Sequence, residues 1–193
     1  MTAIQGGSVM KIMILSDSHG DAETMYHVVE NEKPDMIIYL GDGIADAEQL
    51  GERYPSIKMI KVLGGLDSDK PDEEWIKIAE ICGKRFVIAH GHTFIAYTYD
   101  EKADKYRQTD ADLARSRRNM LEIIRDNNAD ILLHGHTHEP YINRTQIAPG
   151  RICWIMNPGR IGRGDGGILK PTYGVLKIYE SGTFEWRIKE HNE

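Results

Sequence analysis

The chain has 193 residues, enough for one hydrophobic core with at most a modest insertion. Its composition, 40% hydrophobic and 28% charged, is that of an ordinary soluble domain; no apolar run reaches the roughly 18 residues of a membrane span, and residues 1–9 have neither the basic nor the apolar stretch of a secretion signal, so membrane and secreted classes are excluded. A net charge of −6 argues against gripping nucleic acid on a basic surface, but leaves room for a small phosphorylated substrate whose charge a metal offsets.

Residues 1–9 are small, polar and aperiodic, and read as an extension outside the core. The first strand is expected over Lys11–Ser16, followed by the loop Asp17-Ser18-His19-Gly20 and a helix over Asp21–Glu32 that Pro34 ends. A second strand, Asp35–Leu40, runs into Gly41-Asp42-Gly43. A helix over Ala45–Tyr54 and a strand over Ile57–Leu63 follow, ending in Gly64-Gly65-Leu66-Asp67. This alternation predicts a sheet with helical crossovers.

The second half is different. Trp75–Cys82 and Arg85–His90 read as a hairpin joined at Gly83-Lys84. Residues 93–109 are polar, rich in tyrosine and without a clear period. A long helix is expected over Asp110–Asn127, with Leu113, Met120, Leu121 and Ile124 on one face. Asp130–Leu133 is a strand feeding His134, and Ile152–Met156, Tyr173–Tyr179 and Thr183–Ile188 read as closing strands. Two mixed sheets packed face to face, with helices outside, would use these pieces. Cys82 and Cys153 are too few for a disulfide framework; both read as buried packing residues of a cytoplasmic protein.

The chemistry is carried by histidines. Of eight, six follow strand-like runs: His19, His90, His92, His134, His136 and His138. Strand ends are where open α/β sheets place their sites. Asp17-x-His19 reads either as a metal-ligand pair or as a helix cap, and Gly41-Asp42 either as a ligand or as a plain turn. His134-Gly135-His136-Thr137-His138 is stronger, because three imidazoles in five residues each need a partner. Together these groups would meet at one sheet edge and suffice for two cations, which can clamp a phosphoryl group.

The order D-x-H, G-D, H-G, G-H-x-H resembles the calcineurin-like metallophosphoesterases. Met10-Lys11-Ile12 followed closely by Ser16-Asp17-Ser18-His19-Gly20, together with Asn157-Pro158-Gly159, is similar to the small YfcE-type bacterial phosphodiesterase branch. The resemblance spans about Met10 to Ile188. It implies an α/β fold, a four-layer α-β-β-α sandwich in a single domain. It also implies two divalent ions, Mn²⁺ first with Fe, Zn²⁺ or Ni²⁺ as alternatives. Asp17, His19 and His138 would hold the first, His90 and His136 the second, with Asp42 bridging. Asp42 and His136 would be the catalytic groups, and a bridging hydroxide would attack the phosphorus of a small phosphodiester.

Three departures from the family pattern bear on this. Gly65 stands where the family usually has a ligating Asn; a water, the Gly65 carbonyl or Asp67 could fill the gap. Leu66 cannot donate a proton, as a histidine does there in larger relatives. Residues 93–109, with Tyr97, Tyr99 and Tyr106, read as an insertion: a lid, a stacking wall or a surface loop. His92 and His134 fall outside the family's ligand positions and read as ligand-orienting or phosphate-contacting groups, or as solvated ones. Arg160, where Ser is more usual, and Arg163 read as phosphate contacts or as loop charges. The alternatives to a diesterase are a non-catalytic scaffold like a retromer subunit and a phosphomonoesterase. Membrane partners are not expected and nucleic acid is disfavoured; the resemblance also allows a homodimer.

Overall fold

The computed structural model describes residues 9–67, 73–100, 102–163 and 170–192. The expected extension lies, except for Val9, outside the described residues, as does the Gly-rich run beyond Arg163. Strand β1 (Val9–Leu15) leads to helix α1 (Ala22–Glu32), β2 (Met36–Tyr39), α2 (Ile44–Arg53) and β3 (Lys58–Lys61). Then follow β4 (Ile76–Ile81), β5 (Lys84–Ala89), β6 (Thr98–Asp100), β7 (Lys105–Arg107), α3 (Asp110–Asp126), β8 (Ile131–Leu133), β9 (Tyr141–Ala148), β10 (Arg151–Asn157), β11 (Thr172–Tyr179) and β12 (Phe184–Glu190).

Two five-stranded mixed sheets result, in the orders β12-β11-β1-β2-β3 and β4-β5-β8-β10-β9. Strand β1 shows why they stack. Its side chains alternate between two buried surfaces, Ile12 and Ile14 on one and Met13 and Leu15 on the other. The first pair joins Met36, Ile38, Phe86, Ile88, Ile131 and Leu133 in a core between the sheets. The second packs with Met25, Val28 and Val29 of α1 and Ala47 and Leu50 of α2. On the far side Ile124 of α3 meets Val87, Leu132 and Ile155. The layers are therefore helices, sheet, sheet, helix. Each fully buried Val, Leu, Ile, Met or Phe side chain among these contributes roughly 1.5–3 kcal/mol by leaving water.

The helix ends follow the local sequence. Asp21 caps α1 by accepting from the Thr24 N–H at 3.1 Å, and Lys33 closes it in a left-handed conformation ahead of Pro34. Thr109 and Asp112 form a reciprocal capping box on α3.

Several expectations need correction. The hairpin turn is Cys82-Gly83, both with positive φ, and Lys84 already belongs to β5. Cys82 at the turn is exposed, not packed; Cys153 is buried as expected. Leu113 is exposed, because the first turns of α3 bind residues 96–98 through polar groups instead. Asp112 accepts from the Thr98 hydroxyl and Ser116 Oγ from the Ala96 N–H, each at 2.8 Å. Strand β9 was not expected: it is an edge strand whose sequence, Tyr141–Ala148, buries only Ile147 and shows no clean alternation. The segment 93–109 contains the small hairpin β6–β7.

Candidate metal centre

The candidate ligands converge at the ends of β1, β2, β5 and β8, on loops drawn together by backbone hydrogen bonds. The Asp17 N–H donates to Gly41 O at 2.9 Å, His19 N–H to Asp42 O at 3.2 Å, and Gly135 N–H to His90 O at 2.8 Å. Gly135 permits the closest approach: a Cβ there would lie 1.9 Å from Ser16 Oγ and 2.7 Å from Asp17 Oδ2.

Two three-residue clusters form. Asp17, His19 and His138 make one; Asp42, His90 and His136 make the other, with the ligand atoms of each lying within 4.8 Å of one another. In the first, Asp17 Oδ1 is 3.1 Å from His138 Nε2 and 3.8 Å from His19 Nε2. In the second, His90 Nε2 is 3.2 Å from Asp42 Oδ2. The clusters are adjacent, for His90 Nε2 is also 3.9 Å from Asp17 Oδ1. The structure thus brings together all six residues expected as ligands.

The donor set fits cations. His90 Nδ1 donates to the Leu40 carbonyl at 2.8 Å, which turns Nε2 into the cluster. Burial disfavours a charge on His90, but Asp42 and Asp17 raise it above its ordinary value, so without an ion Nε2 holds a proton toward Asp42 Oδ2 at 3.2 Å. A cation in the cluster would replace that proton. Burial works against ionising Asp42, yet His90 and the Leu66 N–H at 2.8 Å pull its carboxyl down to about 2. Asp17 is likewise held below its usual range, burial being outweighed by His138, His90 and Ser16. Burial, followed by the charge of His90, lowers His136 to about 4, which leaves a neutral ring ready to ligate.

Backbone conformation marks the same residues. Of nine non-glycine residues with positive φ among those described, five are Asp17 (58°), His19 (47°), Asp42 (57°), His136 (68°) and His138 (59°). Side chains rarely adopt this region unless the surroundings impose it.

The other candidates divide. Asp67 is not placed to fill a ligand gap: Oδ2 accepts from the N–H groups of Asp42 (2.9 Å) and Gly64 (2.7 Å), and Oδ1 from those of Gly43 and Ile44 (2.8 Å each). It ties the Asp42 loop to the Gly64 loop. His134 is no phosphate contact either. It is fully buried, with Nδ1 at Gly135 O (3.0 Å) and Nε2 at the Tyr141 hydroxyl, and burial lowers it to about 4. His92 packs against Gly65, where an added Cβ would be 3.4 Å from its Cγ, and its ring stands 5.3 Å from Trp75. It occupies room beside the position of the usual asparagine but joins neither cluster. Tyr97 and His136 pack edge to face with ring centroids 5.6 Å apart, while Tyr99 and Tyr106 pair with each other in the solvent.

Several positioning residues stand outside the set expected to touch metal or phosphate. Asp46, in the first turn of α2, accepts from Ser18 Oγ (2.6 Å) and the Gly20 N–H (2.8 Å), and Tyr39 meets Ser18 Oγ at 2.6 Å. Asn157, noted only as part of a motif, donates to Gly135 O and Thr137 Oγ1 at 3.0 Å and so holds the His136–His138 loop. An acid at the start of a helix after Gly-Asp-Gly is the one local signal that could have marked Asp46.

The profile of the calcineurin-like phosphoesterase superfamily domain matches residues 10–181, which takes in both clusters. The chain belongs to this superfamily. Among its relatives is a probable metallophosphoesterase of Mycoplasma pneumoniae, 26% identical over 87% of this chain and 89% of that one. Two solved structures share the fold. A predicted phosphoesterase from Streptococcus pneumoniae covers 96% of this chain and all of its own, at TM-score 0.61 and 18% identity. Vps29 from Entamoeba histolytica complexed with Zn²⁺ covers 95% of this chain and all of its own, at TM-score 0.64 and 16% identity. The four-layer arrangement expected from the resemblance is the fold observed. Among the described residues no helix is long and apolar enough to cross a membrane.

Proposed function

We propose that this member of the superfamily is a metal-dependent phosphodiesterase acting on a small phosphodiester. Asp17, His19 and His138 would hold one divalent ion and Asp42, His90 and His136 the other, with Asp42 shared. The observation that supports this best is the pair of adjacent clusters joined through His90 Nε2, a buried nitrogen 3.2 Å from Asp42 Oδ2 and 3.9 Å from Asp17 Oδ1. Mixed carboxylate and imidazole donors suit Mn²⁺, with Fe, Zn²⁺ or Ni²⁺ as competitors. Bound there, the ions would supply positive charge against the phosphate and the acidity that makes water a nucleophile at neutral pH.

The protein's own groups do the rest. The Leu40 carbonyl fixes the His90 tautomer. Asp67 and Asn157 hold the ligand loops in register. Tyr97 walls one side of His136. Leu66 is 77% exposed and has no proton to give, so the leaving group would take its proton from water or another side chain. Esters with acidic leaving groups are therefore the better substrates.

Hydrolysis of bis(4-nitrophenyl) phosphate tests this. After chelation the rate should fall to the blank, and Mn²⁺ should restore it. With Mn²⁺ at a hundred times its dissociation constant, the unfolding midpoint should rise by about 5–10 °C. A midpoint that rises with rates still at the blank across Mn²⁺, Zn²⁺ and Ni²⁺ would replace the enzyme reading with the scaffold one. Faster turnover of 4-nitrophenyl phosphate would make it a monoesterase.

A further inference from the structure

Arg160 and Arg163 look equivalent in the sequence, but the structure separates them. Arg163 is tied to the start of α1: its N–H donates to Asp21 Oδ2 at 3.1 Å, and its Nε to Thr24 Oγ1 at 3.1 Å. The guanidinium of Arg160 makes no hydrogen bond or ion pair among the described residues, and its Nε is buried without a partner. A half-buried cation with no counter-charge among the described residues is costly to hold, and a guanidinium's planar donors match a phosphate.

Its place is fixed by the site. The segment that carries it is hydrogen-bonded to the first ligand loop, Ile161 N–H to Ser16 O at 2.9 Å and Gly162 N–H to Asp17 O at 3.2 Å. Arg160 lines two clefts that meet at His138. One, of about 600 Å³, is bounded by Ser18, His19, Asp21 and Arg163; the other, of about 300 Å³, by Pro140, Lys170 and Glu190. Both lie within the range of about 300–1,000 Å³ of small-molecule sites. The carboxylates on their walls are already engaged, Asp21 by Thr24 and Arg163 and Glu190 by Lys170 at 3.2 Å. The positive charge of Arg160 is thus left for a ligand.

We infer that Arg160 receives a second phosphate of the substrate, one carried outside the reacting diester and seated beside His19 and His138. The substrate class is then a phosphodiester bearing a separate phosphomonoester, and Arg160 sets that specificity. This rests on the phosphoesterase reading given above.

Two probes differ only in this group: thymidine 5′-(4-nitrophenyl phosphate) and the same ester with a 3′-phosphate. With Mn²⁺ the native protein should prefer the second in kcat/KM by about tenfold to a hundredfold, the worth of one charged, bidentate contact. Arg160→Ser should bring the ratio near one; Arg160→Lys should keep part of it, and Arg160→Gln serves if the serine variant does not fold. A ratio unchanged in the variants, or near one in the native protein, would overturn the inference. A second readout needs no turnover: calorimetric titration of thymidine 3′,5′-bisphosphate into the chelated protein. Binding that depends on Arg160 without hydrolysis of either ester would keep Arg160 as a phosphate site but overturn the catalytic reading and the substrate class inferred from it. Metal-dependent hydrolysis of both esters at equal rates would do the opposite.

Discussion

Replacing Asp42 by Asn is expected to lower kcat at saturating Mn²⁺ by about 10³-fold or more, with the fold retained. That factor corresponds to about 4 kcal/mol of transition-state stabilisation. Asn keeps the shape and can still accept the Leu66 N–H at Oδ1, so the loop has no reason to collapse. What disappears is the negative charge facing His90 Nε2 at 3.2 Å. Without it, the second cluster offers only neutral imidazoles, and in the proposed arrangement both ions lose a shared carboxylate. Metal content per chain should therefore fall below two, and circular dichroism should match the native protein. Turnover near the native rate at the same metal concentration would take Asp42 out of the site.

Replacing Asp67 by Ala should destabilise the metal-free protein by about 4 kcal/mol, since four backbone N–H groups lose a charged acceptor and each buried unsatisfied donor costs about 1 kcal/mol or more. For a chain of this size the unfolding midpoint should drop by about 8–16 °C. Asp67→Asn should lose less, because its remaining carbonyl oxygen can still serve two of the donors. A ligand would behave differently, leaving metal-free stability intact and weakening metal binding alone. Thermal unfolding of the chelated variants separates the two roles, and an unchanged midpoint would refute the positioning role.

The contrast between these two aspartates shows what a sequence discloses. Asp42 was legible because Gly-Asp after an apolar run joins an ordered set of Asp and His motifs, and ligands must be those residue types. Asp67 could be seen as an acid near the site, but its partners are backbone N–H groups of two loops, and main-chain donors leave no mark in the side-chain pattern. Asp46 and Tyr39 meet the Ser18 hydroxyl, and Asn157 the Gly135 carbonyl and the Thr137 hydroxyl, contacts that only the folded loops create. The alternation of strand and helix was readable as far as Lys61 because β1 and β2 are buried on both faces and read as apolar runs. Strand β9 has only Ile147 buried, and β6 and β7 are three residues each, so burial imposed no pattern on them. Arg160 was visible as a departure from the family; only the structure shows that Asp21 and Thr24 hold Arg163 and leave Arg160 unmatched.

The left-handed backbone at Asp17, His19, Asp42, His136 and His138 has a consequence for any attempt to make this protein hardier. Each such residue costs of order 1 kcal/mol relative to glycine, which adopts the conformation freely. Against a total stability of about 5–15 kcal/mol, five of them are a large reserve. Asp17 and Asp42 offset that cost with the hydrogen bonds they accept, but at His19, which is exposed, a screen that rewards heat resistance alone would gain by glycine and remove a donor from the first cluster. The ligand loops are where robustness and chemistry compete for the same residues.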